Sequence, residues 1–397
     1  MSGGGGVAGY FGDLGRLVAE EWARRGRRTG TLSEAATAAL GTLPPGPEVG
    51  ALAVLEHAAR REDLPASQSA LADVFGQPPL VLFADDDFYI QALNWIDGTT
   101  DVHQHGFDGA FAVAEGLSLH VPYRFAPTDH LADGHLVVGD LSMGEPEVLR
   151  PGDVRPITSG FGFVHALFHL ERPTLTVVVR NVSSELDYPQ YSYLRPGLGY
   201  DKLWTDKRTG KRLQAIGAMH RLDPTSARRA VAEMVSEAPT WLAFLAAHDA
   251  LYRIGWTDEV AELCGILGRR VPALVGVLEP AFEIETQLGN VLSRRALLTE
   301  RHHRTFLALL ANLPDRAAVR SVVGALYPGA EPERRILEWV SELSSPRYRS
   351  VSGLRLTDDQ QATIRARLEQ ETSVQDVLEI LATGIDAPPL LRELLTV

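Results

Sequence analysis

The chain has a single cysteine, Cys264, in 397 residues. One cysteine cannot form an internal disulfide, and it cannot by itself build a zinc ribbon or an iron–sulfur site. Any bound metal must therefore be held by histidine or carboxylate side chains. No stretch approaches the roughly 20 consecutive apolar residues of a membrane-spanning helix, and the glycine run at the start lacks a basic and apolar signal region. We expect a cytoplasmic protein without a membrane partner.

Basic residues are scarce relative to acidic ones, with 38 Lys and Arg against 51 Asp and Glu and a formal net charge of -13. A negative field repels phosphate backbones, so nucleic acids and anionic membranes are disfavoured as partners. The fractions of hydrophobic (45%) and charged (22%) residues are those of an ordinary globular protein. The length predicts two or three domains, with ample chain to bury a core.

Hydrophobic patterning divides the chain into regions of different character. Apolar residues recur at helical spacing near the N-terminus, as at Leu14, Leu17 and Val18. Short β-branched and aromatic runs cut by Gly, Asp and Pro follow, which is typical of a β-sandwich or barrel. A Tyr-, Pro- and Gly-rich stretch then precedes a second helical region. The predicted boundaries are 1–78 for an N-terminal helical region, 79–187 for the β-domain, 188–214 for a linker with strand or hairpin remnants, and 215–397 for a C-terminal helical domain.

Seven of the twelve histidines lie between His103 and His169, within the β-rich region. Side chains alternate between the two faces of a strand, so His103 and His105 should point the same way and could chelate one ion. The same alternation places His165 and His169 on one face of a later strand. We expect imidazoles from these two segments to line one cavity.

The spacing of these histidines resembles the two motifs of the cupin superfamily. The first motif is G-x5-H-x-H-x(3,4)-E-x6-G, and here four residues rather than five separate the first glycine from the first histidine. A glycine occupies the position at which many cupins supply a carboxylate ligand. The second motif, G-x5-P-x-G-x2-H-x3-N, is similar to the stretch 152–169, with two extra residues before the P-x-G position and glycine in place of its proline. The matching positions are Gly98, His103, His105, Gly109 and Gly116 in the first motif, and Gly152, Gly160, Gly162, His165 and His169 in the second.

The resemblance covers about residues 80 to 185 and implies an α+β protein. Its centre would be a cupin β-barrel, or double-stranded β-helix, flanked by N-terminal helices and a C-terminal all-α domain. Within the superfamily, the first motif with Trp95 upstream is most similar to that of the three-His thiol dioxygenases, although position 104 is Gln rather than Asp. The resemblance implies His103, His105 and His165 as metal ligands. Iron(II) is the expected metal, while zinc, nickel, copper and manganese remain open.

Three neutral imidazoles would leave the double positive charge of the ion uncompensated, which favours an anionic or chelating substrate. We therefore predict a mononuclear non-haem iron oxygenase of the dioxygenase type, acting with dioxygen on a small thiol or amino-acid-like acid. Three histidines and a water also describe a catalytic zinc site, so a metal-dependent lyase, isomerase or hydrolase remains open. A non-catalytic cupin that senses a small molecule, with the helical domain transmitting the signal, is a third hypothesis.

Other side chains are candidates for supporting roles. His169 is expected behind the ligands, and Glu115 or Asp108 could orient a ligating imidazole. An arginine in the pocket would suit a substrate carboxylate. The remaining histidines are expected elsewhere: His120, His130 and His135 in surface loops, and His302 and His303 on a helix from which they diverge. The C-terminal domain would cover the barrel mouth or form a homodimer interface. The catalytic candidates are His169 and Glu115, and the candidates for lining the substrate pocket are Tyr89, Gln91, Tyr123, Arg124 and Arg180.

Overall fold

The computed structural model describes residues 6–369 except for 29, 61–63, 66–67, 69–74, 97–99, 183–188, 314–315 and 355. Gly98 of the first motif lies outside the described residues. Three helices precede the β-region: α1 (Val7–Arg24), α2 (Leu32–Thr42) and α3 (Ala51–Arg60). None of the helices in the described part of the chain is both long and apolar enough to cross a bilayer.

Twelve antiparallel strands in the described ranges form two sheets. The five-stranded sheet has the order β1-β2-β10-β4-β8, and the seven-stranded sheet has the order β6-β12-β11-β3-β9-β5-β7. The long strand β5 pairs with β9 along its first half and with β6 along its second half, so the larger sheet rejoins itself. The strands are β1 (Pro79–Ala84), β2 (Phe88–Trp95), β3 (Val102–His105), β4 (Gly109–Glu115), β5 (Ser118–Leu131), β6 (Leu136–Met143), β7 (Glu147–Leu149), β8 (Val154–Ile157), β9 (Gly160–His169), β10 (Thr174–Asn181), β11 (Tyr191–Leu194) and β12 (Leu198–Asp201).

The N-terminal helices cover the outer face of the five-stranded sheet. Phe11 and Leu14 of α1 are fully buried in one apolar cluster with Ile90 of β2 and Val177 of β10. Because strand side chains alternate, the neighbours of these residues point to the other face of the sheet, towards the barrel interior. Val178 of β10 accordingly belongs to the interior cluster.

The C-terminal helices cover the outer face of the seven-stranded sheet in the same way. On β9, Val164, Ala166 and Phe168 pack against these helices, which leaves His165 and Leu167 to face inward. The helices are α4 (Lys207–Leu222), α5 (Pro224–Glu237), α6 (Thr240–Ile254), α7 (Asp258–Arg270), α8 (Leu278–Leu297), α9 (Arg301–Asn312), α10 (Arg316–Leu326), α11 (Pro332–Leu343), α12 (Arg349–Ser352) and α13 (Asp358–Glu369). The expected fold class, a β-barrel flanked by helices on both sides, is confirmed.

The stretch predicted as a linker with strand or hairpin remnants contains a hairpin that is part of the barrel. Its β11–β12 hairpin joins the seven-stranded sheet, with β11 pairing to β3 and β12 to β6. Helix α4 then begins at Lys207, where the Asp206 carboxylate accepts hydrogen bonds from two backbone N–H groups of the first turn. Strands of four residues are too short to show a hydrophobic period, so their burial depends on contacts that are distant in sequence.

Because His248 of α6 is buried, we expect the free energy of unfolding to decrease in acid. Its ring stacks on Phe244 with centroids 5.4 Å apart, and burial lowers its pKa to about 4. The unfolded chain takes up a proton below about pH 6.5 and the folded chain does not, so stability falls as the pH drops towards 4. The maximum loss is about 3 kcal/mol at roughly 1.4 kcal/mol per pH unit.

Urea unfolding at pH 7.5 and pH 4.5 checks this expectation. The His248→Phe variant should lose less stability than the wild type over that interval. An exposed control, His130→Ala, should lose as much as the wild type. Equal acid sensitivity in all three proteins would show that His248 does not cause it.

Candidate metal centre

The structure brings His103, His105 and His165 together inside the barrel. His103 of β3 is the register partner of His165 of β9, and a bulge follows between Gln104 and His105. The ring centroids lie 4.7 Å (103–105), 4.6 Å (103–165) and 5.1 Å (105–165) apart. Each ring offers a nitrogen within 4.8 Å of those of the other two, and all three residues are buried.

Hydrogen bonds and burial determine which nitrogens remain available. His103 Nδ1 lies 2.9 Å from the Asp101 carbonyl. Because a carbonyl can only accept, Nδ1 carries the proton and Nε2 keeps a lone pair. Burial holds the pKa of His105 and of His165 well below the ordinary value, and it also lowers the pKa of His103. The three imidazoles are therefore neutral, which is the state that binds metals.

His105 Nε2 and His165 Nε2 lie only 3.0 Å apart. With a proton on each Nδ1, two lone pairs would face each other at this distance, and a cation between them would convert that repulsion into coordination. Three convergent neutral imidazoles are a suitable donor set for a first-row transition metal. The residues present thus fit a metal ion of this class.

The carboxylates expected near the ligands lie elsewhere. A Cβ at Gly109, the Glu position of the motif, would lie 1.9 Å from the Val179 carbonyl oxygen, so the backbone packing excludes any side chain. The Asp108 carboxylate accepts from Ser159 N–H at 2.9 Å. Glu115 accepts from Ala51 N–H at 2.6 Å, at the start of α3. Among the described residues, the three-imidazole cluster therefore includes no carboxylate.

A narrow cavity of about 70 Å³ opens beside the three rings. Its small volume suits a small molecule, and its wall is mostly apolar. Aromatic and aliphatic side chains exclude bulk water, while a few polar groups can orient a ligand. Besides the three histidines, the polar side chains of the wall are Gln91, Thr100, Thr176, Arg180 and Gln190, and the apolar ones include Phe107, Phe111, Leu167 and Val178.

Arg180 places a cation in the cavity wall. Its guanidinium carbon lies 3.8 Å from the Phe107 ring centroid and 5.3 Å from that of Tyr89. Its Nε is enclosed and has no hydrogen-bond partner. No ion pair between Arg180 and a carboxylate occurs within the described ranges, and burial lowers the pKa of the guanidinium. The cavity thus combines a metal-type donor set with an uncompensated positive charge.

The structure does not bring the other predicted pocket residues to the cavity, except Gln91. Tyr89 contacts Arg180 but lies outside the wall. Tyr123 packs against the C-terminal helical cluster, and Arg124 is exposed. Tyr123 lies where β5 changes its partner from β9 to β6, and Arg124 lies just beyond that point. Amino-acid composition does not predict where a strand changes its partner.

His169 is buried on the inner side of β9 but is separated from the cavity. Its ring stacks on Trp95 with centroids 4.3 Å apart, and its Nδ1 lies 3.0 Å from Ser118 Oγ. Trp95 contributes to the cavity wall, whereas His169, on which it stacks, does not. His169 therefore contacts neither the cavity nor the cluster.

Sequence reasoning missed His120. It was expected in a surface loop because Pro122 and Pro127 follow, but it lies in β5, is 3% exposed and has its ring centroid 5.1 Å from that of His165. The alternation of Ser118, Leu119, His120 and Val121 was the available signal. His130 is exposed, and His135 is partly buried against Trp204 at 3.7 Å between ring centroids.

The expected divergence of His302 and His303 is wrong. Their Nε2 atoms lie 3.1 Å and 2.7 Å from the same oxygen, Glu342 Oε2. Both residues belong to the first turn of α9, and both rings reach the same carboxylate of α11. These hydrogen bonds account for the pair as a helix–helix contact.

Comparisons with solved structures find similarity to part of the chain. No protein-family model matches the chain, and no curated protein matches its sequence. Hydroquinone 1,2-dioxygenase from Sphingomonas sp. TTNP3 is 13% identical, with 28% of this chain and 70% of that chain covered and a TM-score of 0.22. A cupin-2 domain protein from Shewanella frigidimarina is 19% identical, with coverages of 26% and 79% and a TM-score of 0.18. A DMSP lyase from Ruegeria pomeroyi DSS-3 is 18% identical, with coverages of 44% and 93% and a TM-score of 0.23.

Similarity at this level says nothing about the reaction that the protein catalyses. The structural class of the barrel is argued from the strands and histidines of this chain. Two antiparallel sheets form a closed barrel, an H-x-H pair lies on one strand, and a third histidine lies on the paired strand. This arrangement resembles a barrel of the cupin type, with three convergent imidazoles that could hold a metal ion. Its donor set is three imidazoles without a carboxylate among the described residues, and Arg180 lies in the wall of the same cavity.

Proposed function

We propose that the protein is a mononuclear non-haem iron oxygenase of the dioxygenase type that acts on a small, metal-chelating carboxylic acid. The observation that carries this proposal is the presence, in one small cavity, of three neutral imidazoles and a guanidinium that forms no ion pair with the described residues. Three neutral ligands leave the charge of a divalent ion uncompensated, and Arg180 adds a further positive charge to the cavity. An anionic substrate would neutralise part of the positive charge of both the ion and Arg180.

The ligands His103, His105 and His165 would hold the metal through their Nε2 atoms. When bound, iron would supply Lewis acidity and the redox centre for dioxygen, with coordination positions left open by a three-ligand set. The Asp101 carbonyl fixes the tautomer and orientation of His103 by accepting from its Nδ1–H.

The substrate would be oriented by Arg180 and shielded by the apolar wall. Two N–H groups of a guanidinium can bind a carboxylate in a bidentate manner, which fixes both position and direction. Phe107, Phe111 and Leu167 exclude water, which strengthens these charged interactions. A small thiol-containing or amino-acid-like acid would supply both a carboxylate for Arg180 and a group that chelates the metal.

Metal analysis with oxygen uptake tests the proposal. Protein purified without added metal should contain iron, and a member of a panel of thiol acids, amino acids and β-dicarbonyls should elicit dioxygen consumption. Bound zinc with turnover but without oxygen uptake would replace the proposal with a lyase, isomerase or hydrolase. Absence of metal, with ligand binding retained in His103→Ala, would identify a non-catalytic sensor instead.

A further inference from the structure

Three buried imidazole nitrogens in or beside the cluster are inaccessible to solvent and lack a hydrogen bond: His105 Nδ1, His165 Nδ1 and His120 Nε2. The last two atoms belong to different strands, β9 and β5. Their rings are neighbours, with centroids 5.1 Å apart and planes at 67°. A linear N–H···N hydrogen bond between two imidazoles places the centroids about 5 Å apart. The separation of the two rings is therefore the one that such a hydrogen bond requires.

The protons are distributed so that the pair is complementary. His120 Nδ1 lies 2.8 Å from Glu147 Oε1. A carboxylate accepts only, so Nδ1 of His120 donates and its Nε2 is left as an acceptor. His165 would have the opposite pattern once a metal is bound: its Nε2, which lies 3.0 Å from His105 Nε2, would then be a ligand, and the ring proton would be on its Nδ1.

Glu147 is itself fixed by a second contact. Arg155 binds it in a bidentate manner, with Nε 2.8 Å from Oε1 and Nη2 on Oε2. The hydrogen bond from Arg155, followed by that from His120, lowers the pKa of Glu147 to about 2. Glu147 lies on β7 in the larger sheet and Arg155 on β8 in the smaller sheet, so the pair links the two sheets behind His120.

We propose that His120 is a positioning residue for the metal centre, whose Nε2 accepts a hydrogen bond from Nδ1–H of the ligand His165. Glu147 and Arg155 hold His120 in the required tautomer. An acceptor behind a ligating histidine fixes the ring orientation and makes the imidazole a stronger ligand. The inference rests on the proposed function only in treating His165 as a metal ligand.

Metal affinity in paired variants tests this role. His120→Leu removes the acceptor and should weaken zinc and cobalt(II) binding by about 10- to 100-fold, the usual effect of losing such a partner. His120→Gln keeps an acceptor oxygen near the Nε2 position and should restore most of the affinity. His169→Leu is the matched control, because His169 is equally buried but lies outside the cavity; its affinity should equal that of the wild type.

The cobalt(II) visible spectrum should shift in His120→Leu and return towards the wild type in His120→Gln. Ring-nitrogen NMR of the zinc-loaded wild type requires no variant to fold, and it should show His120 Nε2 unprotonated and His165 Nδ1 protonated. A protonated His120 Nε2 would overturn the inference, as would equal affinity in His120→Leu and the wild type. Equal losses of metal affinity in His120→Leu and His120→Gln would also overturn the inference, because they would show that His120 acts through its packing rather than as a hydrogen-bond acceptor. A wild type that binds no metal would overturn the proposed function and this inference together.

Discussion

Replacing His103 with alanine should abolish stoichiometric metal binding. The substitution removes one of three convergent nitrogens and leaves a pair with no carboxylate among the described residues to replace it. The loss should exceed the roughly 10- to 100-fold typical of an outer hydrogen-bond partner, because a direct ligand is removed. Elemental analysis and competition with a chromophoric chelator measure the effect.

Thermal unfolding gives a second measure of the same change. A metal at 100 times its Kd stabilises the folded state by about 2.7 kcal/mol, which raises the Tm of the wild type. His103→Ala should lose this rise, whereas His130→Ala, an exposed histidine of the same barrel, should keep both the binding and the rise. If His103→Ala still bound one metal ion per chain, the three-histidine cluster would be excluded as the metal-binding site.

The positions of the three central histidines could be predicted because they depend on local rules. Alternation along a strand puts His103 and His105 on one face wherever the strand lies. His165 required pairing between strands about sixty residues apart, and only the resemblance to a known motif supplied it. Polar and apolar residues also alternate around His120, which is typical of a strand, but the prolines that follow it favour the prediction of a loop. Pro122 instead lies within β5, opposite His165.

The rest of the site depends on how the two sheets pack face to face, and no local pattern encodes that packing. Arg124 and Arg180 both lie on strands, and composition does not distinguish them. Only the structure shows that Arg180 lines the cavity while Arg124 is exposed. Glu115 illustrates the same point, since its partner is the backbone N–H of Ala51, 64 residues away. Its contact with α3 is a property of the assembled helices and sheet.

Arg180→Met should nearly eliminate binding of an anionic substrate without loss of stability. Methionine keeps an unbranched side chain of similar reach but removes the charge. A hydrogen bond to a charged group contributes about 1.5–3 kcal/mol, so loss of the guanidinium should raise KM by at least about 10- to 100-fold. Arg180→Lys should recover part of the lost substrate affinity, because lysine keeps the positive charge and loses only the bidentate geometry.

The stability of this variant separates a functional cation from a structural one. A charge enclosed without an ionic partner costs free energy in the folded state. Arg180→Met should therefore unfold at the same or a higher urea concentration than the wild type, even as substrate affinity falls. Arg124→Met, an exposed arginine of the same barrel, should change neither quantity. A destabilised Arg180→Met variant with unchanged KM would mean that Arg180 supports the packing of Phe107 and Tyr89 rather than the binding of an anion.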